Sequence, residues 1–215
     1  MIKNVLFDLD GTVTDSGEGI TKSVSYALES LGIVENDENA LKEFIGPPLY
    51  DTFKEKYNLT HEQAEFAVSK YRERYKVTGL FENKVYVGME EIFIMLKEKG
   101  IKICLATSKP LVFANQILEH FQLKKYFDVV SGSEFDGTRL HKTDVIKHVF
   151  SFLESPQDSI MVGDKKFDVI SAHECNIKCI GAQYGYPLPN ELTNAKADFI
   201  ANNTTELMKI LSDLT

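Results

Sequence analysis

From about residue 85 to the carboxyl terminus, short β-branched and apolar runs alternate with segments whose apolar residues recur at helix spacing. Strands are expected near 102–107, 128–132, 159–163 and 178–182, with a shorter one near 198–200. The helices between them are marked by Met89, Ile92, Phe93 and Leu96, by Ala114, Ile117, Leu118 and Phe121, and by Val145, Val149 and Leu153. Strands joined through helices cross over in the right-handed sense and build a parallel sheet covered on both faces. One more strand is expected at the amino terminus, where Ile2, Val5, Leu6 and Phe7 form an apolar run. Between that strand and the alternating part, residues 15–84 are helical in pattern: Ile20, Val24, Ala27, Leu28 and Leu31, then Ala64, Ala67, Val68, Tyr71 and Tyr75. The chain is therefore read as an α/β protein whose core comprises 1–14 and 85–215, with 15–84 a helical insertion.

In parallel sheets of this kind ligands sit outside the carboxyl ends of the strands, so the strand ends are where chemistry is sought. The first is followed by DLDGTVTDS at 8–16. Asp8 and Asp10 stand two apart at the strand end and project to the same side. Two carboxylates so placed can bind a hard cation and divide the work of nucleophile and general acid/base. Gly11 and Thr12 turn the chain sharply, which suits a loop around a small anion, although an Asp-rich turn without chemistry has the same composition. KICLATSK at 102–109 ends in Thr107 and Ser108, and Pro110 opens a helix. A hydroxyl beside the N–H groups of a helix start can hold a phosphate oxygen. Lys142 stands at another helix start, where the macrodipole opposes a cation, so its charge is read as serving a ligand. SIMVGDKKFDVISA at 159–172 puts Asp164 at a strand end and Asp168 about one helical turn later, a metal-site spacing. A capping threonine, a solvated lysine or a capping aspartate would explain each alone. All four at strand ends and helix starts point to a phosphoryl-transfer centre.

The net charge of −8 and the 43% hydrophobic content describe an acidic globular chain, which argues against nucleic acid or an anionic membrane as partner. An anionic substrate would have to be held by a few local cations. No apolar run reaches the ~20 residues of a membrane span, and the amino terminus lacks a cleavable leader pattern, so a cytoplasmic location is expected. Three cysteines, Cys104, Cys175 and Cys179, without CxxC spacing are read as reduced packing residues.

In order and spacing these motifs resemble those of the haloacid dehalogenase superfamily, within its phosphoglycolate phosphatase-like branch, over essentially the whole chain. The family's DxDGTxxDS is met by residues 8–16, its strand-terminal Thr or Ser by Thr107, its lysine by Lys142, and its GDxxxD by Asp164 and Asp168. Ser108 stands where many relatives carry Asn. The resemblance implies a Rossmann-like core with a helical cap domain, and a Mg²⁺-dependent phosphatase acting on a small phosphorylated metabolite through an aspartyl-phosphate. By the same resemblance Asp8 is the nucleophile and Asp10 the general acid and base. The metal is held by Asp8, the main-chain carbonyl of Asp10 and Asp164, with Asp168 ordering its waters and fixing Lys142. Thr107 and Lys142 hold the non-bridging oxygens, and Gly11, Thr12, Ser108 and Lys109 add substrate contacts.

In the cap, the resemblance makes FIGPPL at 44–49 a substrate-contacting loop through Gly46 and Pro47, although a plain helix boundary fits these residues as well. Tyr71, Arg72, Arg74, Tyr75 and Lys76 are read as a solvated helix face, with a cationic substrate contact as the alternative. Tyr184 and Tyr186 in QYGYP could border the site from the loop after the fifth strand but are not counted among its residues. Both 2-phosphoglycolate and a nucleoside 5′-monophosphate stay open as substrates, and a β-phosphoglucomutase-like mutase retains all four motifs. A 2-haloacid dehalogenase needs only the first aspartate, so Asp10, Asp164 and Asp168 argue against it, and the intact motifs argue against a non-catalytic binding protein. A monomer or a homodimer is expected.

Overall fold

The structure is a computed structural model that describes all residues 1–215. The chain divides into two compact units, an α/β unit of Met1–Asp15 with Val85–Thr215 and a helical unit of Ser16–Lys84.

The α/β unit carries a six-stranded sheet of β1 (Asn4–Phe7), β4 (Lys102–Pro110), β5 (Val129–Ser133), β6 (Ser159–Gly163), β7 (Lys178–Ala182) and β8 (Phe199–Ala201), in the order β5-β4-β1-β6-β7-β8. Every pairing is parallel. β2 (Thr14–Asp15) and β3 (Lys84–Val85) pair as a separate ribbon where the chain leaves and re-enters this unit. The helices α5 (Met89–Glu98), α6 (Leu111–His120), α7 (Lys142–Phe150), α8 (Lys166–Glu174), α9 (Glu191–Asn194) and α10 (Thr204–Leu214) follow the strands. β1 lies between β4 and β6, and its four residues are all buried. Alternation along it feeds two cores: Leu6 joins Val145, Ile146, Val149, Val169 and Ala172 of α7 and α8, whereas Phe7 meets the ring of Phe93 on α5 at 5.4 Å. Cys104, Cys175 and Cys179 are free and buried, and burial pushes the Cys104 thiol up to about 12, so it packs as an apolar residue. β4 runs past Thr107 to Pro110, with a register shift between Ala106 and Pro110, so Pro110 caps α6 from outside instead of opening it.

The helical unit holds α1 (Gly17–Glu29), α2 (Glu38–Lys42), α3 (Leu49–Lys56), α4 (His61–Arg74) and a π-helix at Tyr75–Gly79. α4 starts at a capping box, the Thr60 side chain accepting from Gln63 N–H while the Gln63 side chain accepts from Thr60 N–H. Gly19 and Gly79 let α1 and the π-helix approach so closely that a Cβ on Gly19 would lie 2.0 Å from the Gly79 carbonyl oxygen. In FIGPPL, Phe44 and Ile45 are buried and Phe44 packs on Phe53 at 4.6 Å. Gly46 takes φ +106°, and Pro48 stands at the cap position directly before α3. The cluster at 71–76 is not one solvated face: Tyr71 and Tyr75 are buried, and Arg74 bonds Glu82 at 2.8 Å and Ser23 at 3.1 Å. Helix periodicity had already placed both tyrosines on the apolar stripe, and that preference wins over the neighbouring charges. No helix in either unit is long and apolar enough to cross a membrane.

Candidate active site

Asp8 continues β1 by one residue, its N–H donating to Val162 O at 2.9 Å, so sheet pairing fixes its backbone. The chain then folds back on itself, with Val13 and Thr14 N–H both donating to Leu9 O at 2.9 Å. Gly11 takes φ +77° in this turn, and a Cβ on it would lie 2.3 Å from Asp164 Oδ2. Only glycine meets both conditions without displacing the aspartate. Asp164 follows β6, the strand beside β1, and Asp168 lies in the first turn of α8 with its Oδ2 accepting from Lys165 N–H at 3.0 Å. Lys142 begins α7 and reaches back beneath the strand ends. Its Nζ lies 2.9 Å from Asp8 Oδ1, 2.7 Å from Asp168 Oδ1 and 3.1 Å from Ala106 O.

The carboxylates of Asp8, Asp164 and Asp168 lie within 4.8 Å of one another, and all three residues are buried. Burial raises the Asp8 pKa from 3.8 to about 6; Lys142 opposes that rise, Asp168 adds to it, and the Thr107 hydroxyl again opposes it. Asp164 is raised well above its ordinary value by burial first, then by Asp168 and Asp8. Burial works against the charged form of Lys142, but Asp168 and Asp8 outweigh it and hold the ammonium above its usual range. Asp164 Oδ1 is buried and accepts no hydrogen bond. Lys142 pairs with Asp8 and Asp168 and Lys165 acts on Asp164, which still leaves three carboxylates against two ammonium groups, and oxygen donors of this kind suit a hard divalent cation. The residues present therefore fit the metal that the sequence motifs imply.

Asp10 turns its carboxylate elsewhere, Oδ2 pairing with Lys109 Nζ at 2.6 Å, so its side chain is not in the acidic group. The metal contact assigned to Asp10 thus concerns its main-chain carbonyl. Thr107 is buried, and its Oγ1 accepts from Lys109 N–H at 3.2 Å. Ser108 O accepts from Ser133 Oγ at 2.8 Å, and the buried Thr12 hydroxyl has no hydrogen-bond partner. Asp8, Asp10, Gly11, Thr12, Thr107, Ser108, Lys109, Lys142, Asp164 and Asp168 all belong to the α/β unit, whereas Gly46 and Pro47 belong to the helical unit. Two contacts escaped sequence reasoning. The ion pair of Lys109 with Asp10 joins residues 99 apart, and the N–H of Tyr186 donates to Asp164 Oδ2 at 2.8 Å. A main-chain donor leaves no residue-type signature, and the only hint was the aromatic–Gly–aromatic run beyond β7.

Residues 5–182 match the family described as haloacid dehalogenase-like hydrolase. A 5′-nucleotidase of Pseudomonas aeruginosa is 45% identical over 190 residues, covering 88% of this chain and 86% of that protein. Tyrosine-protein kinase PtkA of Mycobacterium tuberculosis is 33% identical over 205 residues, covering 95% of this chain and 67% of that one. The crystal structure of a predicted phosphatase from Clostridium acetobutylicum superposes with a TM-score of 0.93 at 46% identity, covering 99% of each chain. Further relatives carry the name phosphoglycolate phosphatase.

Proposed function

This chain belongs to the haloacid dehalogenase-like hydrolase family and is a phosphatase, and from that premise we propose that it hydrolyses small phosphate monoesters through an aspartyl-phosphate on Asp8, with Mg²⁺ as its metal. The observation that carries this reading is the buried group of Asp8, Asp164 and Asp168 around Lys142, with Asp164 Oδ1 left without a partner. Asp8 attacks phosphorus in line, and the bond to the leaving oxygen breaks as Asp10, which takes up a proton from solvent once the bound dianion draws Lys109 away, gives it that proton. Water then attacks the acyl phosphate, Asp10 accepts its proton, inorganic phosphate leaves, and Asp8 is regenerated. Lys142 orients Asp8 through Oδ1 and offsets the repulsion between a carboxylate and a dianionic ester. Thr107 donates to a non-bridging oxygen, and Lys109 fixes the Asp10 carboxylate before substrate arrives. Bound through Asp8, Asp164 and the carbonyl of Asp10, the metal would neutralise the phosphoryl oxygens, while Asp168 would act on its waters and on Lys142.

Of the substrates left open by the motifs, a nucleoside 5′-monophosphate is favoured, because the 45% identical relative is named for that activity. Release of inorganic phosphate from a panel of phosphorylated metabolites tests this, each with Mg²⁺ and with excess EDTA. Nucleoside 5′-monophosphates should give the highest kcat/KM, and chelation should abolish release. Preference for 2-phosphoglycolate would replace the substrate class, and full activity in EDTA would remove the metal.

A further inference from the structure

The segment Tyr184–Gly185–Tyr186 follows β7 and folds back over the turn after Asp8, tied to it at several points within the α/β unit. Tyr184 Oη donates to Thr12 O at 2.9 Å, and its ring meets the ring of Tyr86 edge-on at 5.0 Å. Tyr186 Oη donates to Asp15, and Lys165 Nζ donates to Tyr186 O. Gly185 N–H closes the turn onto Ala182 O at 3.1 Å. Between these anchors the backbone comes in so closely that a Cβ on Gly185 would lie 2.2 Å from Gly11 O and 2.6 Å from Asp164 Cβ. Neither neighbour is a flexible chain end that could move aside. What the approach achieves is the 2.8 Å hydrogen bond from Tyr186 N–H to Asp164 Oδ2.

We propose that Tyr186, through its main-chain N–H, is a positioning residue for the metal-ligating carboxylate of Asp164, and that Gly185 is the residue which admits it. This inference rests on the metal-dependent reading above. Asp164 can turn either oxygen toward the acidic group. The Tyr186 N–H occupies Oδ2, and the buried Oδ1, which has no hydrogen bond, is thereby the one left for the cation shared with Asp8 and Asp168. Gly11 leaves room for Oδ2 in this orientation, since a Cβ there would lie 2.3 Å from it. One amide thus orients the carboxylate, and two glycines leave the space in which it and the incoming backbone fit.

The direct test replaces Tyr186 by its α-hydroxy acid, which turns the 185–186 amide into an ester and removes the donor while keeping the side chain. Gly185→Ala is the second variant, since its Cβ must push the segment away from Gly11 O. Mn²⁺ binding to the substrate-free protein is read by electron paramagnetic resonance, and turnover is followed as a function of Mg²⁺ concentration. Loss of an interaction that orients a metal ligand typically weakens metal affinity by about 10- to 100-fold. Both variants should show a weakening of that order, with the half-saturating Mg²⁺ concentration raised more than kcat is lowered. Mn²⁺ affinity within about threefold of wild type in the ester variant, whatever its melting temperature, overturns the positioning role. Should Gly185→Ala not fold, the ester variant alone decides. Wild-type protein that binds no Mn²⁺ would instead overturn the metal reading itself, and this inference with it.

Discussion

Asp8 combines two demands that conflict. As a nucleophile it must be ionised, yet burial lifts its pKa from 3.8 to about 6. An acid whose folded pKa is raised binds its proton more tightly folded than unfolded. Its stabilising effect is therefore full below the unfolded value, near 4, and is lost as pH rises through about 6. Asp164 is shifted in the same direction. Metal-free protein should accordingly lose stability between about pH 4 and pH 6 through Asp8, with a further loss in the same direction through Asp164, and a bound cation should reverse both. Two expectations follow for thermal melting. The gain in Tm on adding Mg²⁺ should be larger at about pH 8 than at about pH 5, and the decline of the metal-free protein over that range should be smaller in Asp8→Asn. An equal gain at both values would mean that the burial of Asp8 and Asp164 is not relieved by metal. In catalysis, Asp8→Asn should lose turnover to background with its circular dichroism unchanged, since an amide fills the same space but cannot attack phosphorus. Asp10→Asn should lose about 10²–10⁴-fold for alkyl esters and far less for esters with good leaving groups, because only a proton donor is removed. A uniform loss across leaving groups would take the donor role from Asp10.

The elements that carry these residues differ in how openly the sequence announces them. Asp8 and Asp164 were legible because each follows a short, largely apolar strand, and those strands prove to be wholly buried neighbours, β1 and β6. Lys142 was legible because a cation at a helix start goes against the macrodipole, and the structure shows what holds it there: Asp8 and Asp168. β4 was placed correctly but ended too early, since nothing in Thr107–Ser108–Lys109 signals that the strand resumes pairing at Pro110 after a register shift. The π-helix after α4 was also hidden, and so was the packing of its last residue, Gly79, against Gly19, 60 residues away. That contact makes a prediction about the helical unit. A Cβ on Gly19 would stand 2.0 Å from Gly79 O and 3.0 Å from Glu82 O, both backbone atoms that cannot swing aside. Gly19→Ala should therefore destabilise by about 1–3 kcal/mol, the usual cost of overpacking, despite the better helix propensity of alanine. Chemical denaturation checks it, and an unchanged or raised midpoint would show that α1 shifts freely against the π-helix.

At the scale of the whole chain, the proposed chemistry and the expected source of selectivity belong to different units. Every group assigned to the reaction, from Asp8 to Asp168, lies in the α/β unit. Those groups meet the phosphoryl oxygens, the metal and the leaving oxygen, which all phosphate monoesters share. We propose that choice among substrates comes from chain that the sheet does not use, and Ser16–Lys84 is the large segment of that kind. Within it FIGPPL is anchored by the buried Phe44 and Ile45, turns at Gly46 with φ +106°, and leaves Gly46 and Pro48 exposed on a stiff backbone. A loop held at its base and rigid at its tip is suited to discrimination, since it can recognise a substrate without losing much freedom. Loosening it by Pro47→Gly with Pro48→Gly should redistribute kcat/KM among nucleoside monophosphates and phosphoglycolate by about tenfold or more, comparable to one lost contact in a specificity pocket. p-Nitrophenyl phosphate, which offers little beyond the phosphoryl group, should change far less. The measurement is the same metabolite panel run on wild type and double variant. If the ranking holds while all rates fall together, the prolines serve only to start α3, and selectivity belongs to other residues of the chain.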